Sequence, residues 1–395
     1  MTRTEFASPP VLMSPLPGGV EENTQPSDSE VIIDLEVIAH QTWTFLQNHL
    51  DPITGLPFDR VELRNGETHL LKITSPSNIG LALLSYVAAD QQAFIDRSQA
   101  LVQVELLINS VKNLKIKQGM FVNWHHTDSC QPVALWPTNS GEECEVEEFV
   151  SSVDNAWLAV GLLIASEYFQ ELEPAIAEIL GQMDFRVFFN ESTGSFVGGI
   201  HQSGELTDYH YPSTYLSEAR ILYYVSYLLK QIDRETLWHY LDHFPNSSYG
   251  GSVFETLMPL LVFDEQDLSN RAILDLITQQ REAGKEHGYW GFSPCDDPGK
   301  TYTEFGVGAY SKNGFDVVTP HALFLALPYA ADEVLAILCR LAEEAEAWTE
   351  NGFVDAVNVR SGVTSETWLF LDQAMIFLAI YQWLAGEDNF RRRLR

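Results

Sequence analysis

The sequence is poor in basic residues for its length. Its 395 residues include 55 Asp and Glu but only 23 Lys and Arg, which gives a formal net charge of -32. A charge of this sign repels phosphate backbones and anionic membrane surfaces, so we expect no nucleic-acid or membrane partner and a neutral or cationic substrate. The one dense basic cluster, at 391–395, is interpreted as a solvated helix end, with a nucleic-acid-binding tail as the alternative.

Cysteine is also scarce. The four cysteines are Cys130, Cys144, Cys295 and Cys339. They form no CxxC pair and show no metal-ligand spacing with histidine, so we predict neither a metal nor a cofactor. A loop disulfide between Cys130 and Cys144 is an alternative in an oxidising compartment. The run of His125, His126 and Asp128 looks like a metal site, but adjacent residues rarely converge on one ion.

Long hydrophobic runs and the familiar catalytic signatures are missing as well. No window of 18 uncharged apolar residues occurs, so no transmembrane helix is predicted. Residues 1–30 lack the apolar segment of a signal peptide and are predicted to be a disordered leader. We therefore expect a cytoplasmic protein, with an unusual export route as the alternative, and one domain over 31–395. No GxGxxG, P-loop, HExxH or GxSxG motif is present.

The sequence does contain one pattern six times, a polar segment followed by a helix-length apolar run. The six runs are Thr74–Ala89, Ser151–Ser166, Ser213–Leu229, Ser252–Val262, Val317–Leu327 and Glu366–Leu384. Several begin with Ser or Thr, which suit a helix N-cap. A helix that is apolar on nearly every side must be buried on every side.

More amphipathic stretches lie between these runs, at roughly 31–48, 92–115, 167–185, 233–243, 266–284 and 331–348. Six buried helices that alternate with six half-exposed ones predict an all-α (α/α)6 toroid with an inner and an outer ring. The alternative is a large irregular helical protein. Gly-aromatic segments precede most inner helices and predict short strands in loops at one end of the barrel: GLPFD (55–59), GMFVNW (119–124), GSFVGG (194–199), GYWGFSP (288–294) and NGFVDAVN (351–358).

Four carboxylates interrupt the apolar runs: Asp154, Glu218, Glu255 and Asp372. An ionised carboxylate in an apolar wall is costly unless it is paired or faces a wet cavity, so four of them predict a shared polar cavity. Each also has a structural explanation. Glu218 would pair with Arg220, Asp154 would serve the helix dipole, and Glu255 and Asp372 would bond to neighbouring helices. His321 would be a satisfied core histidine.

Aromatic residues fall in or beside the loops: Trp124, Trp136, Tyr211, Tyr215, Trp290 and Tyr302. Core packing is the alternative for each. Acidic groups ringed by aromatic side chains suit a neutral oligosaccharide. Glycoside hydrolysis needs one protonated carboxyl and one ionised carboxylate, and burial in an apolar wall prepares the acid by raising its pKa.

In this order, eight segments resemble a known family: TSPSNIGLALLSYVAA, VSSVDNAWLAVGLLIAS, YLSEARILYYVSYLL, GGSVFETLMPLLV, YWGFSPCDD, EFGVGAYSKNG, VVTPHALFLALPYA and LDQAMIFLAI. Over about 31–385 the chain resembles the glucoamylase-like domain, which is similar to bacterial endo-β-1,2-glucanases and to the glucan-processing domain of cyclic β-1,2-glucan synthases. The resemblance implies an (α/α)6 barrel that acts on a β-glucan.

The resemblance also implies residue roles. Glu218 matches the family's general acid, and Asp154 lies in a segment with acidic active-site residues and is the candidate base. The synthase domains carry a further acid where this chain has Pro294, which favours an inverting hydrolase. Asp296 and Glu304 are the residues that would fill that role otherwise.

The sequence thus predicts a monomeric inverting glycoside hydrolase for a β-linked glucan or gluco-oligosaccharide. The residues expected to bind substrate are Trp124, Trp290, Glu255, Asp372, His321 and Tyr215. A catalytically silent oligosaccharide-binding protein of the same fold is the alternative.

Overall fold

Twelve α-helices dominate the part of the chain that the computed structural model describes, which is residues 32–137, 143–208, 211, 216–242, 247–299, 301–309, 311–312, 314–386 and 389–390. The predicted leader, Tyr215 and the C-terminal basic cluster lie outside these ranges. Helices of two kinds alternate along the chain. The even-numbered ones, here called core helices, are α2 (Pro76–Gln91), α4 (Ser152–Tyr168), α6 (Arg220–Leu228), α8 (Val253–Leu257), α10 (Pro320–Leu325) and α12 (Phe370–Ala385).

The odd-numbered helices, here called flanking helices, keep an exposed face. They are α1 (Leu35–Asn48), α3 (Arg97–Val111), α5 (Glu173–Leu180), α7 (Arg234–Asp242), α9 (Gln266–Ala283) and α11 (Leu327–Ala345). Each flanking helix from α3 to α11 packs on the core helix before it, and α1 packs on α12 and α2. The predicted alternation of buried and amphipathic helices is therefore confirmed.

The core helices are buried along most of their length, as their apolar sequences predict. In α2, every residue from Pro76 to Ala89 is buried. The core helices contact one another in the order α8, α10, α12, α2, α4 and α6. The closest approach is between α2 and α4. A Cβ added to Gly161 would lie 2.4 Å from the carbonyl oxygen of Gly80, so only glycine lets these two backbones meet.

Serine N-caps begin three core helices at equivalent positions. The hydroxyls of Ser75, Ser151 and Ser252 accept the backbone N–H of the residue three places further on, which is Asn78, Asp154 and Glu255 respectively. The predicted Ser caps are thus present. The third helical residue lies in the first turn of its helix. The caps therefore place three polar side chains at the N-terminal ends of core helices.

The strands are short, and most have two residues. In order they are β1 (Arg60–Arg64), β2 (Glu67–Leu71), β3 (Ile73–Thr74), β4 (Ile116–Lys117), β5 (Met120–Phe121), β6 (His125–His126), β7 (Leu135–Pro137), β8 (Glu143–Glu145), β9 (Val150–Ser151), β10 (Phe189–Asn190), β11 (Ser195–Phe196), β12 (Gly199–Ile200), β13 (Cys295–Asp296), β14 (Tyr302–Thr303), β15 (Val317–Val318), β16 (Trp348–Thr349), β17 (Gly352–Phe353), β18 (Val357–Asn358), β19 (Val363–Thr364) and β20 (Thr367–Leu369). All their named pairings are antiparallel. Several lead directly into core helices, so they support the loops at that end.

Three predicted helices are clearly shorter than their apolar runs, and one of them is α10, which starts after the strand Val317–Val318. Helix α6 begins at Arg220 rather than near Ser213, and α8 continues as a 3-10 turn over Met258–Leu261. Pro259 removes a backbone donor at this point, which explains why α8 does not continue as an α-helix. No described helix has the length and apolarity needed to cross a bilayer.

Candidate active site

A cavity of about 380 Å³ opens at the N-terminal ends of the core helices. Its wall is formed by the loops before α2, α4, α6, α10 and α12, by the first turns of α2, α4 and α12, and by α8 with the turn that follows it. The lining residues are Asp59, Arg60, Ser75, Ser77, Asn78, Asn123, Trp124, Trp136, Val153, Asp154, Trp157, Glu218, Phe254, Met258, Tyr302, Leu369 and Leu371. Polar groups and aromatic rings thus meet at one mouth, as expected from the placement of the loops.

Glu218 lies in the turn just before α6, with its side chain partly exposed to the cavity. Burial raises its pKa to about 8, and the negative charges of Asp154 and Glu255 add to this effect. The indole N–H of Trp157 donates to Glu218 Oε2 at 3.4 Å, which opposes the rise only weakly. A glutamate with this pKa keeps its proton at neutral pH, as a general acid must.

Arg220 does not pair with Glu218, so that explanation of the glutamate is wrong. The guanidinium forms a fully buried ion pair with Glu265, with Nε 2.9 and 3.2 Å from the two carboxylate oxygens. It also donates to the carbonyls of Ser217 (2.8 Å) and Thr256 (2.9 Å). Arg220 therefore holds the backbone next to Glu218 and joins α6 to α8, while Glu218 itself remains free for the cavity.

Asp154 lines the same cavity from the first turn of α4. The hydroxyl of Ser77 donates to its Oδ1 at 2.5 Å. Asn123 donates to its Oδ2 (3.1 Å) when the amide is oriented so that its oxygen accepts from Trp124 Nε1 (3.3 Å). Burial raises the pKa of Asp154, whereas the serine hydroxyls oppose the rise. Hydrogen bonds thus favour the ionised form of Asp154, while burial, the larger effect, favours the protonated form.

Two aromatic side chains frame the cavity on one side. Trp124 and Trp136 both line it and contact each other edge to face, with 5.0 Å between ring centroids. Tyr302 also lines it, and about half of its surface (51%) is exposed. These rings offer flat apolar surfaces beside the carboxyl groups. The prediction that Trp124 lies in the cleft agrees with this placement.

Trp290 is elsewhere, so its predicted place in the cleft is wrong. The ring is buried, and its indole N–H donates to Glu333 on α11 at 2.9 Å. Like Trp124 it belongs to a Gly-aromatic segment, but its ring packs toward a flanking helix. Sequence pattern could not separate the two orientations.

Glu255, His321 and Asp372 do not line the described cavity either. Glu255 lies in the first turn of α8, where burial and the charge of Glu304 raise its pKa to about 7. Its charge nevertheless acts on the carboxyl of Glu218. His321 and Asp372 are buried behind the wall, with 1% and 4% of their surfaces exposed. The prediction that His321 and Asp372 contact the substrate directly is therefore wrong.

Three comparisons with known proteins add to this geometry. Residues 221–387 match the Glycoamylase family model. The curated cyclic β-(1,2)-glucan synthase NdvB of Rhizobium meliloti (strain 1021) is 27% identical over 157 residues, which cover 39% of this chain and 5% of that protein. The chain resembles the glucoamylase-like domain family. The resemblance predicted from the eight sequence segments is thus confirmed.

Solved structures extend the likeness to the whole fold. The endo-β-1,2-glucanase of Chitinophaga pinensis, in complex with sophorotriose and glucose, superimposes with a TM-score of 0.74 at 14% identity, over 91% of this chain and 94% of that chain. An endo-β-1,2-glucanase mutant of Talaromyces funiculosus with β-1,2-glucan gives a TM-score of 0.68 at 14% identity, over 91% and 85%. At these identities the likeness establishes the glucoamylase-like fold and nothing finer.

The structure adds cavity residues that the sequence patterns did not single out. Asp59 accepts a hydrogen bond from Asn78 at 2.9 Å, and burial raises its pKa despite the nearby Arg60. A signal was available, since Asp59, Asn123 and Asp355 end three of the Gly-aromatic segments, GLPFD, GMFVN and GFVD. The repeated Asp or Asn after the aromatic residue marks the point where each loop reaches the core helices.

Alternatives for the remaining polar residues are also resolved. All four cysteines are free thiols, so Cys130 and Cys144 form no disulfide here. His125 Nε2 accepts the backbone N–H of Lys115 at 3.0 Å. Burial lowers the pKa of His125 to about 4. That histidine is therefore neutral at ordinary pH, and its Nε2 is occupied by a backbone N–H.

Proposed function

We propose that this chain is a glycoside hydrolase for a β-linked glucan or gluco-oligosaccharide, built on an (α/α)6 toroid. The observation that carries the proposal is the pair of unlike carboxyl groups in one aromatic-lined cavity, Glu218 with its raised pKa and the hydrogen-bonded Asp154. Glycoside hydrolysis requires this combination, because the acid must protonate the leaving oxygen while the carboxylate activates water or attacks the sugar.

The arrangement of the helices supports the toroid. The core helices contact in the order α8, α10, α12, α2, α4 and α6, and Arg220 joins α6 back to α8 through the carbonyl of Thr256. Each flanking helix covers its own core helix. A ring of six helical hairpins accounts for all of these contacts at once. The active cavity then lies at one mouth of the ring, where all the loops before the core helices meet.

Several features support a neutral glucan as the substrate. The net charge of -32 disfavours an anionic ligand, and Trp124, Trp136 and Tyr302 offer faces on which a pyranose ring can stack. The solved relatives are described as β-1,2-glucanases with sophorotriose or β-1,2-glucan bound. We therefore favour a β-1,2 linkage, with the protein acting as a monomer.

For the mechanism we propose inversion, with Glu218 as acid and Asp154 as base. Retention would need a carboxylate close enough to the anomeric carbon to form a glycosyl-enzyme intermediate. The segment that would supply it has Pro294, and the next acid, Asp296, is almost fully buried with Arg60 Nε 3.1 Å from its Oδ2. Glu304 is exposed on its loop. Neither is among the residues that line the cavity.

The experiment is a comparison of substrates and variants. The protein is incubated with β-1,2-, β-1,3- and β-1,4-glucans, and released reducing ends are measured. We expect turnover on the β-1,2-glucan, a fall of about 10²–10⁴ for Glu218→Gln, and no change for the exposed control Glu105→Gln. Binding of glucan without turnover in the wild type would instead favour the sugar-binding alternative.

Stereochemistry is tested on the same reaction. NMR of fresh product, recorded before mutarotation, should show the inverted anomer and little transfer to added acceptor sugars. A retained anomer would contradict the roles given to Asp154 and to the proline-containing segment.

A further inference from the structure

Behind the cavity wall, three buried side chains from separate elements converge. His321 begins α10 after Pro320, Asp372 lies in the first turn of α12, and Asp355 lies in the loop between β17 and β18. His321 Nδ1 is 3.4 Å from Asp372 Oδ2 and 3.8 Å from Asp355 Oδ1. One ligand atom from each residue lies within 4.8 Å of the others, and at most 4% of any of the three is exposed.

Among the described residues, the polar atoms that face one another in this cluster have no hydrogen-bond partner outside it, and the carboxyls of Asp355 and Asp372 hydrogen-bond to each other. The atoms without an outside partner are His321 Nδ1 and Nε2, Asp355 Oδ1 and Asp372 Oδ2. The second oxygen of Asp355 accepts the backbone N–H of Asp296 at 2.6 Å, which turns Oδ1 toward the histidine. Buried polar atoms without partners are rare in native proteins, so these atoms indicate that an ion or ligand binds between them.

The charges of the cluster point to a cation. Asp355 and Asp372 both lie beside the same His321 nitrogen, and two buried carboxylates this close repel each other when both are ionised. His321 Nδ1 faces both carboxylates and can supply the third ligand atom. A divalent cation would neutralise both carboxylates and give every orphaned oxygen a partner.

We propose that His321, Asp355 and Asp372 form a binding site for one zinc-class divalent cation. Ligand atoms arranged tetrahedrally at about 2.0–2.1 Å from zinc lie roughly 3.4 Å apart, which is close to the two distances from His321 Nδ1. One imidazole nitrogen with two carboxylate oxygens suits zinc or manganese better than calcium, which prefers six or more oxygens.

Such an ion would stabilise the cavity wall rather than take part in the hydrolysis. It would join α10, α12 and the loop before β18. Leu369 and Leu371 flank Asp372 in sequence and line the cavity, and Phe254, another lining residue, contacts the ring of His321 with 6.3 Å between centroids. The site is thus independent of the proposed chemistry and can be tested without any substrate.

The test uses the full chain, stripped with a chelator and dialysed. ZnCl₂, MnCl₂, CaCl₂ and MgCl₂ are added separately, and bound metal is measured by elemental analysis alongside the melting temperature. We expect one zinc ion per chain, a higher melting temperature with zinc or manganese, and no effect of calcium or magnesium. Cobalt(II) should produce visible absorption bands of a low-coordinate N/O site.

The nearly isosteric variants Asp355→Asn and Asp372→Asn, together with His321→Gln, should each lose the bound ion. Cys144→Ser removes an exposed thiol that could hold zinc adventitiously, and His69→Gln removes an exposed histidine; both should keep it. If a variant fails to fold, the wild-type stoichiometry and cobalt spectrum still decide. A folded wild-type chain that binds no zinc or manganese, or that loses zinc in Cys144→Ser, would overturn the proposal.

Discussion

Replacing Glu218 with glutamine should stabilise the fold at alkaline pH while it strongly lowers turnover. In the folded chain the pKa of this carboxyl is about 8, against an ordinary value of 4.5. Below about pH 4.5 the carboxyl of Glu218 is protonated in both the folded and the unfolded chain, so its ionisation does not lower the free energy of unfolding. Between pH 4.5 and 8 the unfolded chain releases a proton that the folded chain keeps, so the free energy of unfolding falls as pH rises.

The size of the effect follows from the two pKa values. Their difference, at 1.36 kcal/mol per pKa unit, sets an upper limit of about 5 kcal/mol above pH 8. The side chain is partly exposed to the cavity, so solvent screening makes the true cost of ionising Glu218 smaller. With an unfolding entropy of about 2 cal/mol/K per residue, the melting temperature of Glu218→Gln should exceed that of the wild type by a few degrees at pH 9.

The assay is thermal unfolding of both proteins at pH 5, 7 and 9, with Glu105→Gln as the control on an exposed surface. The gain from Glu218→Gln should be near zero at pH 5, intermediate at pH 7 and largest at pH 9, and the control should show no trend. A gain that is the same at all three pH values, or a loss at pH 9, would refute the assignment of Glu218 as a buried acid held protonated by its surroundings.

Three further predictions follow from neighbouring contacts. Activity should be lost above about pH 8, where Glu218 ionises. Glu255→Gln should move this alkaline limit to lower pH, because the variant removes a negative charge near Glu218. A pH profile of kcat/KM checks both expectations, and an alkaline limit unchanged in Glu255→Gln would contradict the electrostatic coupling of the two residues. Glu265→Gln leaves the buried guanidinium of Arg220 without its counter-charge, and urea unfolding should show a loss of about 3–5 kcal/mol; a loss below about 1 kcal/mol would mean that water reaches the pair. Gly161→Ala should lower the melting temperature because the added methyl meets the backbone of α2, and an unchanged value would mean that the two helices separate easily.

The placement of the candidate acid and base was largely predictable. Asp154 follows a Ser cap by three residues, and this local pattern puts its side chain at the mouth of a core helix whatever surrounds it. Glu218 stands in a polar break before an apolar run, which the resemblance to known glucanases also marks. Trp290 and Trp124 occupy similar segments, yet one ring is buried against α11 and the other lines the cavity.

The sequence by itself determined which segments are buried helices, which are amphipathic, and where the capped ends lie, because hydrophobic periodicity and caps act within a few residues. Only the tertiary structure decided that Arg220 pairs with Glu265, or that His321, Asp355 and Asp372 meet behind the cavity wall. Arg220 and Glu265 are 45 residues apart. Such partners are selected by how helices pack in space, and burial then sets the charge state of the groups that packing brings together.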